Sequence, residues 1–319
     1  MSVLAFTLLA LVLAGPVPEL LARAKWPMRA PRAAVVLWQA IALAAVLSAV
    51  SAGIATAGRL FAAGPGDRPT ATIATIATIA SQIEVLSWPL RLLSVVVLAI
   101  TLLIGTRLAI AVLRVAIATR RQRAHHRMLV DLLGVANRKT PDSAPSHLRI
   151  LDVSEPLAYC LPGVRRRVVV SEGTLTTLSD NEVAAILSHE RAHLRARHDL
   201  VLEMFTAVHA AFPRFVRSAK ALDAVRLLVE LLADDAAVQT AGPTPLARAL
   251  VACASGPTPR GALGAGGPST VLRIRRLGGP PNSTLLATAA YVAAAAVLIV
   301  PTVALAVPWL TEFARLFTV

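Results

Sequence analysis

Charge is scarce in this 319-residue chain: Asp, Glu, Lys and Arg make up 16% of it, against 56% apolar residues. That balance excludes an ordinary soluble domain and is the composition of a membrane protein, as is a mean hydropathy of +0.66. Cysteine is nearly absent. Cys160 and Cys253 are the two thiols, too few for a disulfide framework, which points to a reducing compartment. Aromatic residues are few, and no aromatic-rich basic motif accompanies the net charge of +14, so direct nucleic-acid binding is not expected. The N-terminal apolar run has neither a basic start nor a small-x-small cleavage site. It reads as a retained span, with a cleaved signal as the rival.

Four apolar stretches are long enough to cross a bilayer, at residues 2–21, 33–57, 90–110 and 285–310. The first is interrupted by Gly15-Pro16-Val17-Pro18. Positive charge sits between and beside the spans. Arg23, Lys25, Arg29 and Arg32 fill the first loop, and Arg114, Arg120, Arg121, Arg123 and Arg127 follow the third span, whereas the 58–86 loop carries two basic residues. The positive-inside rule then puts the first and third loops in the cytoplasm, and the 58–86 loop and both termini outside. The expected location is a bacterial inner membrane, crossed several times. His125 and His126, consecutive on a basic helix, cannot share a face and read as solvated. Residues 147–153 and 164–171 alternate like strands. Small-residue surfaces such as Ala293–Ala296 leave a homo-oligomer open.

The most informative stretch is His189-Glu190-Arg191-Ala192-His193. On a helix, residues four apart share a face, so His189 and His193 can point at one metal ion. Glu190 can hold the attacking water and take its proton. By composition alone such a motif arises roughly once in 200 chains like this, so its context matters. Leu178 to Leu187 reads as a helix with Ser179 or Asp180 as N-cap, which places the motif on a helix. A zinc site needs a third protein ligand. Glu230 is a lone carboxylate in an apolar helical run, costly unless engaged. Asp234, one turn on, can accept a hydrogen bond from a ligand histidine. Both also read as ordinary solvated positions; the upstream motif tips the balance to ligation.

His189-Glu190-x-x-His193 followed by Glu230-x-x-Ala233-Asp234 resembles the gluzincin pattern of integral-membrane zinc metallopeptidases. The likeness is to the BlaR/MecR-type antibiotic-sensing transducers first, and to the HtpX and CAAX-prenyl proteases next. Pro156 to Gly163 and Val168 to Leu175 fit it as a sheet edge leading into the zinc helix. The resemblance implies one Zn²⁺ per chain and hydrolysis of a cytoplasmic protein substrate, a winged-helix repressor in the case of the transducers. It also implies a substrate strand added along Ala158, Tyr159 and Cys160. Those transducers carry an external penicillin-binding domain after the fourth span; no such domain is read here, so a signal is expected through the spans, the 58–86 loop or a partner. Quality-control or prenyl-type proteolysis, and a non-catalytic zinc sensor or scaffold, are the alternatives.

The expected fold is therefore mainly α and membrane-embedded, with four transmembrane helices and a cytoplasmic α+β gluzincin domain inserted between spans three and four. The expected units are a three-span region (1–118), a basic helix and linker (119–146), the zinc peptidase domain (147–280), and the fourth span with a short tail (281–319). Within the third unit, 256–269 is Gly-rich and reads as a loop admitting substrate. Arg273, Arg275 and Arg276 read as inner-leaflet anchors, with Arg273 the candidate for steadying the developing oxyanion.

Overall fold

The computed structural model describes residues 2–61, 88–133, 148–163, 165–211, 219–254, 263–264 and 269–315. Most of the 58–86 loop, the linker before the first strand and most of 256–269 lie outside those residues. Among the described residues, four helical segments are long and apolar enough to cross a membrane: Ala5–Arg23, Pro31–Ala52, Leu98–Leu133 and Thr284–Val303. The N-terminal one is broken as its prolines require, into α1 (Ser2–Ala14) and α2 (Pro16–Arg23). Helix α3 (Pro31–Phe61) packs against α1 and against α11 (Thr284–Arg315). Leu13, Leu37, Ile41 and Ala294 are buried between them.

Helix α4 (Trp88–Leu133) is the longest element, at 46 residues. Its first half exposes Leu92, Val95, Ile100, Leu102 and Leu103, an apolar surface suited to lipid. Its second half still exposes Val112, Leu113 and Leu132, and meets the sheet through the buried Val130.

The sheet has the order β1-β3-β2-β4. Strand β1 (Leu148–Leu151) runs parallel to β3 (Arg167–Ser171), which pairs antiparallel with β2 (Ala158–Leu161). Period-two alternation divides β2 and β3 cleanly. Tyr159, Leu161 and Val169 join Val130 of α4 on one face. Ala158, Cys160, Val168 and Val170 face the opposite core, with Ile186 and Leu194. Both faces are covered, so every residue of β2 is buried.

The chain then turns through α5 (Glu172–Thr177), a short helix absent from the sequence-based expectation, into α6 (Asp180–Ala196). Ser171 caps α5: its hydroxyl accepts from Thr174 N–H at 3.1 Å and donates to the Glu155 carbonyl at 2.7 Å. Ser179 opens α6, its N–H donating to Glu182 at 2.9 Å. Helix α6 ends at Ala196. Arg197 takes a left-handed conformation (φ 53°), and α7 (His198–Ala211) starts directly after it. Helix α8 (Ala219–Ala241) stops at Gly242, whose φ of 85° suits glycine. Helix α9 (Pro243–Ala252) follows, then β4 (Leu263–Gly264) and α10 (Thr270–Leu277). Val225, Leu228 and Val229 of α8 share a core with Trp38 of α3 and Phe205 of α7, with the Trp38 and Phe205 rings edge to face at 6.3 Å.

Gly173 shows how closely the sheet and α5 meet. Its N–H donates to the Val153 carbonyl at 2.9 Å, and a Cβ at this position would lie 1.9 Å from the Ser154 carbonyl oxygen. We predict that Gly173→Ala destabilises the protein by about 1–3 kcal/mol. Gly278→Ala, where an added Cβ meets nothing within 4 Å, should leave the thermal midpoint unchanged in the same melting experiment.

Candidate metal centre

Helix α6 places His189, Glu190 and His193 on its buried side. Their i, i+4 spacing brings the two Nε2 atoms to 3.1 Å from each other. Across from them, α8 presents Glu230, with Oε2 at 3.4 Å from His189 Nε2 and Oε1 at 3.5 Å from His193 Nε2. The three ligand atoms all lie within 4.8 Å of one another. A tetrahedral ion with bonds of about 2.0–2.1 Å separates its ligand atoms by about 3.3 Å, so the observed separations suit zinc. Glu230 is nearly buried, with its two carboxylate oxygens turned to the two histidine Nε2 atoms. The donor set of two imidazoles and a carboxylate fits the metal.

The other ring nitrogens are held from behind. His189 Nδ1 lies 3.0 Å from Asp234 Oδ1, the bond expected from the sequence, which fixes the tautomer with Nε2 free to ligate. His193 Nδ1 lies 3.0 Å from His198 Nδ1. His198 escaped the sequence reading because, five residues after His193 on one continuous helix, it would point about 140° away. The break at Arg197 turns it back. Arg123 of α4, counted in the sequence among the positive charges that follow the third span, is buried and paired with Asp199. His126 is also engaged, its Nε2 3.0 Å from the Tyr159 hydroxyl.

Arg273 stands elsewhere than expected. Its Nε and Nη2 donate to the two oxygens of Asp234, at 2.8 and 2.6 Å, and its Nη1 lies 3.0 Å from Glu230 Oε2. The guanidinium is buried and committed to two carboxylates, so it holds ligands in place where an oxyanion stabiliser would have to face an incoming carbonyl. The expected open edge at Ala158, Tyr159 and Cys160 is also altered. Leu263–Gly264 already pairs antiparallel with Tyr159 and Cys160, making β4 and not β2 the sheet's border.

Electrostatics separate the residues by role. Burial drives the Glu190 carboxyl up to about 7. Its two oxygens find no N–H or O–H donor; the Cys160 thiol is the group beside it, itself raised by burial and by the Glu190 charge. Burial lowers His193 to about 3 and His198 to about 4, keeping both rings neutral. Burial also works against His189, yet its bonds to Asp234 and Glu230 carry it to about 9. Glu230 is pulled up by burial but brought down to about 2 by His193, His189 and Arg273.

The sequence profile described as Peptidase family M48 matches residues 119–280, just over half of the chain. No curated protein and no solved structure matches it.

With a pKa of about 9, His189 carries a proton at neutral pH that a divalent cation must displace. Zinc affinity should therefore rise with pH, by about tenfold per unit, until the ring is neutral near pH 9. Chelator competition across that range checks this; an affinity flat with pH contradicts it.

Proposed function

The chain belongs to peptidase family M48, and from that premise we propose that it is a membrane-embedded zinc metalloendopeptidase that hydrolyses peptide bonds of a cytoplasmic protein. The observation that carries this reading is the convergence of His189, His193 and Glu230, with an unpaired Glu190 carboxylate beside them.

Zinc held by His189, His193 and Glu230 would supply Lewis-acid polarisation of the scissile carbonyl and a lowered pKa for the attacking water. Glu190, poised near 7, accepts the proton as the water oxygen bonds to the carbonyl carbon. It then delivers that proton to the amide nitrogen as the carbon–nitrogen bond breaks, leaving a carboxylic acid and an amine, and the acid's remaining proton passes to the amine to give carboxylate and ammonium. Asp234 and His198 keep the two imidazoles turned inward, and Arg273 fixes Glu230 and Asp234 together. The sheet border above Glu190 is where an extended substrate would add by backbone hydrogen bonds, on or in place of β4.

The four apolar segments and the Arg-rich flanks support a multi-pass inner-membrane protein with its peptidase domain in the cytoplasm. The motif resemblance to BlaR/MecR-type transducers supports a winged-helix repressor as the substrate and an antibiotic-response signal as the trigger. Membrane-protein quality control is the neighbouring reading, supported by the same site and by the resemblance to HtpX-type proteases.

Glu190→Gln should keep stoichiometric zinc yet lose about 10²–10⁴-fold in peptide hydrolysis, whereas Glu230→Ala should lose the zinc. Comparative proteomics of wild-type and Glu190→Gln cells tests the substrate. One cytoplasmic regulator cleaved only in the wild type supports the repressor reading, and broad turnover of membrane proteins supports quality control. Full biological output from zinc-loaded Glu190→Gln would make the protein a sensor or scaffold.

A further inference from the structure

The metal centre has an anchor on α4, the long helix that leads into the peptidase domain. Arg123 lies in the second half of α4, the helix whose first half is apolar and exposed. Its Nη1 reaches Glu203 at 2.6 Å and Asp199 at 3.2 Å, both on α7. Asp199 is the second residue of α7 and is almost completely buried, as is Arg123. The other cation on Asp199 is Arg197, at 3.3 Å, with its side chain largely in solvent. The residue between these two is His198, whose Nδ1 meets Nδ1 of the ligand His193.

We propose that Arg123 is a positioning residue for the metal site, so that α4 sets the orientation of the ligand His193 through Asp199 and His198. The physical reason is the break at Arg197. Because α6 and α7 are separate helices that meet at Arg197, the backbone ties the first turn of α7 to that break through the Leu200 N–H and the Arg197 carbonyl, at 3.0 Å, and leaves its orientation to the side chains. That turn is fixed from outside, by the buried ion pair to α4. Without Arg123, the buried Asp199 carboxylate keeps only a solvent-facing partner, and relief comes from moving the turn towards water. His198 moves with it, and His193 loses the group that holds its ring. A second tie on the same face of α4 acts on the sheet: His126, one turn after Arg123, meets Tyr159 of β2, next to the Cys160 that faces Glu190. One helix thus touches the backing of both the metal ligands and the general base.

This inference rests on the metal-centre reading above, and its test separates the two. Zinc affinity of the full-length protein is measured by chelator competition, and the visible absorption of the cobalt-substituted protein reports ligand geometry. Arg123→Gln should weaken zinc binding by about 10- to 100-fold, the usual effect of losing a group that orients a metal ligand, and should alter the cobalt spectrum. Arg123→Lys, which keeps the charge, should recover part of both. Arg167→Gln, which removes the pairing of α4 with β3 through Asp131, should change neither. Wild-type zinc affinity and an unchanged cobalt spectrum in Arg123→Gln would overturn the proposal while leaving the metal centre standing. Should Arg123→Gln not fold, Asp199→Asn, which breaks the same pair from the α7 side, decides: a weaker site supports the proposal and an unaltered one overturns it. A wild-type protein that binds no zinc sinks the metal centre and this inference together.

Discussion

The Arg273 guanidinium, set between the Asp234 and Glu230 carboxylates, is the interaction on which the rest of the site depends. Two carboxylates one turn apart on a buried helix face repel each other and lose their hydration. A planar fork of donors offsets both costs at once, which a lysine could not do with the same geometry. Removing it would leave uncompensated buried charge, at a cost of about 3–5 kcal/mol. Since Asp234 also grips His189, the placement of Arg273 is passed from α8 to α6. Helix α10, which carries Arg273, is itself pinned: Arg276 bonds both oxygens of Asp235 and the Met28 carbonyl. The ligand set therefore hangs from a chain of ion pairs that reaches the N-terminal helices.

The sheet contributes a second constraint. Because α4 covers one face and α6 the other, the Cys160 side chain is turned towards Glu190. Glu190 is fully buried there, and its raised proton affinity follows first from that burial, with the Glu230 charge adding to it.

Much of this was legible in the chain. His189 and His193 follow helical spacing, Glu230 stands out as a lone charge in an apolar run, and Asp234 lies one turn beyond it. Periodicity reports such relations within an element. Partners on different elements were not legible in the same way. His198 needed the left-handed Arg197, an unusual conformation for that residue. Arg123 and His126 looked like any exposed basic helix until α7 and β2 were seen to cover them. Arg273 was singled out, but which group it would meet depended on where α10 docks. Strand β4 comprises two residues in a Gly-rich stretch, too short for alternation to register.

The length of α4 has a mechanical consequence. At 46 residues it measures about 69 Å, while the hydrocarbon core of a bilayer is about 30 Å thick. On the proposed membrane reading, with its first half in lipid, the remainder is an arm that extends beyond the headgroups. A tilt of about 5° at the membrane then displaces the far end by roughly 3 Å, comparable to one ligand-to-ligand edge of a zinc tetrahedron. Bilayer thickness or a neighbouring helix that tips α4 would reach the peptidase as a change of that size.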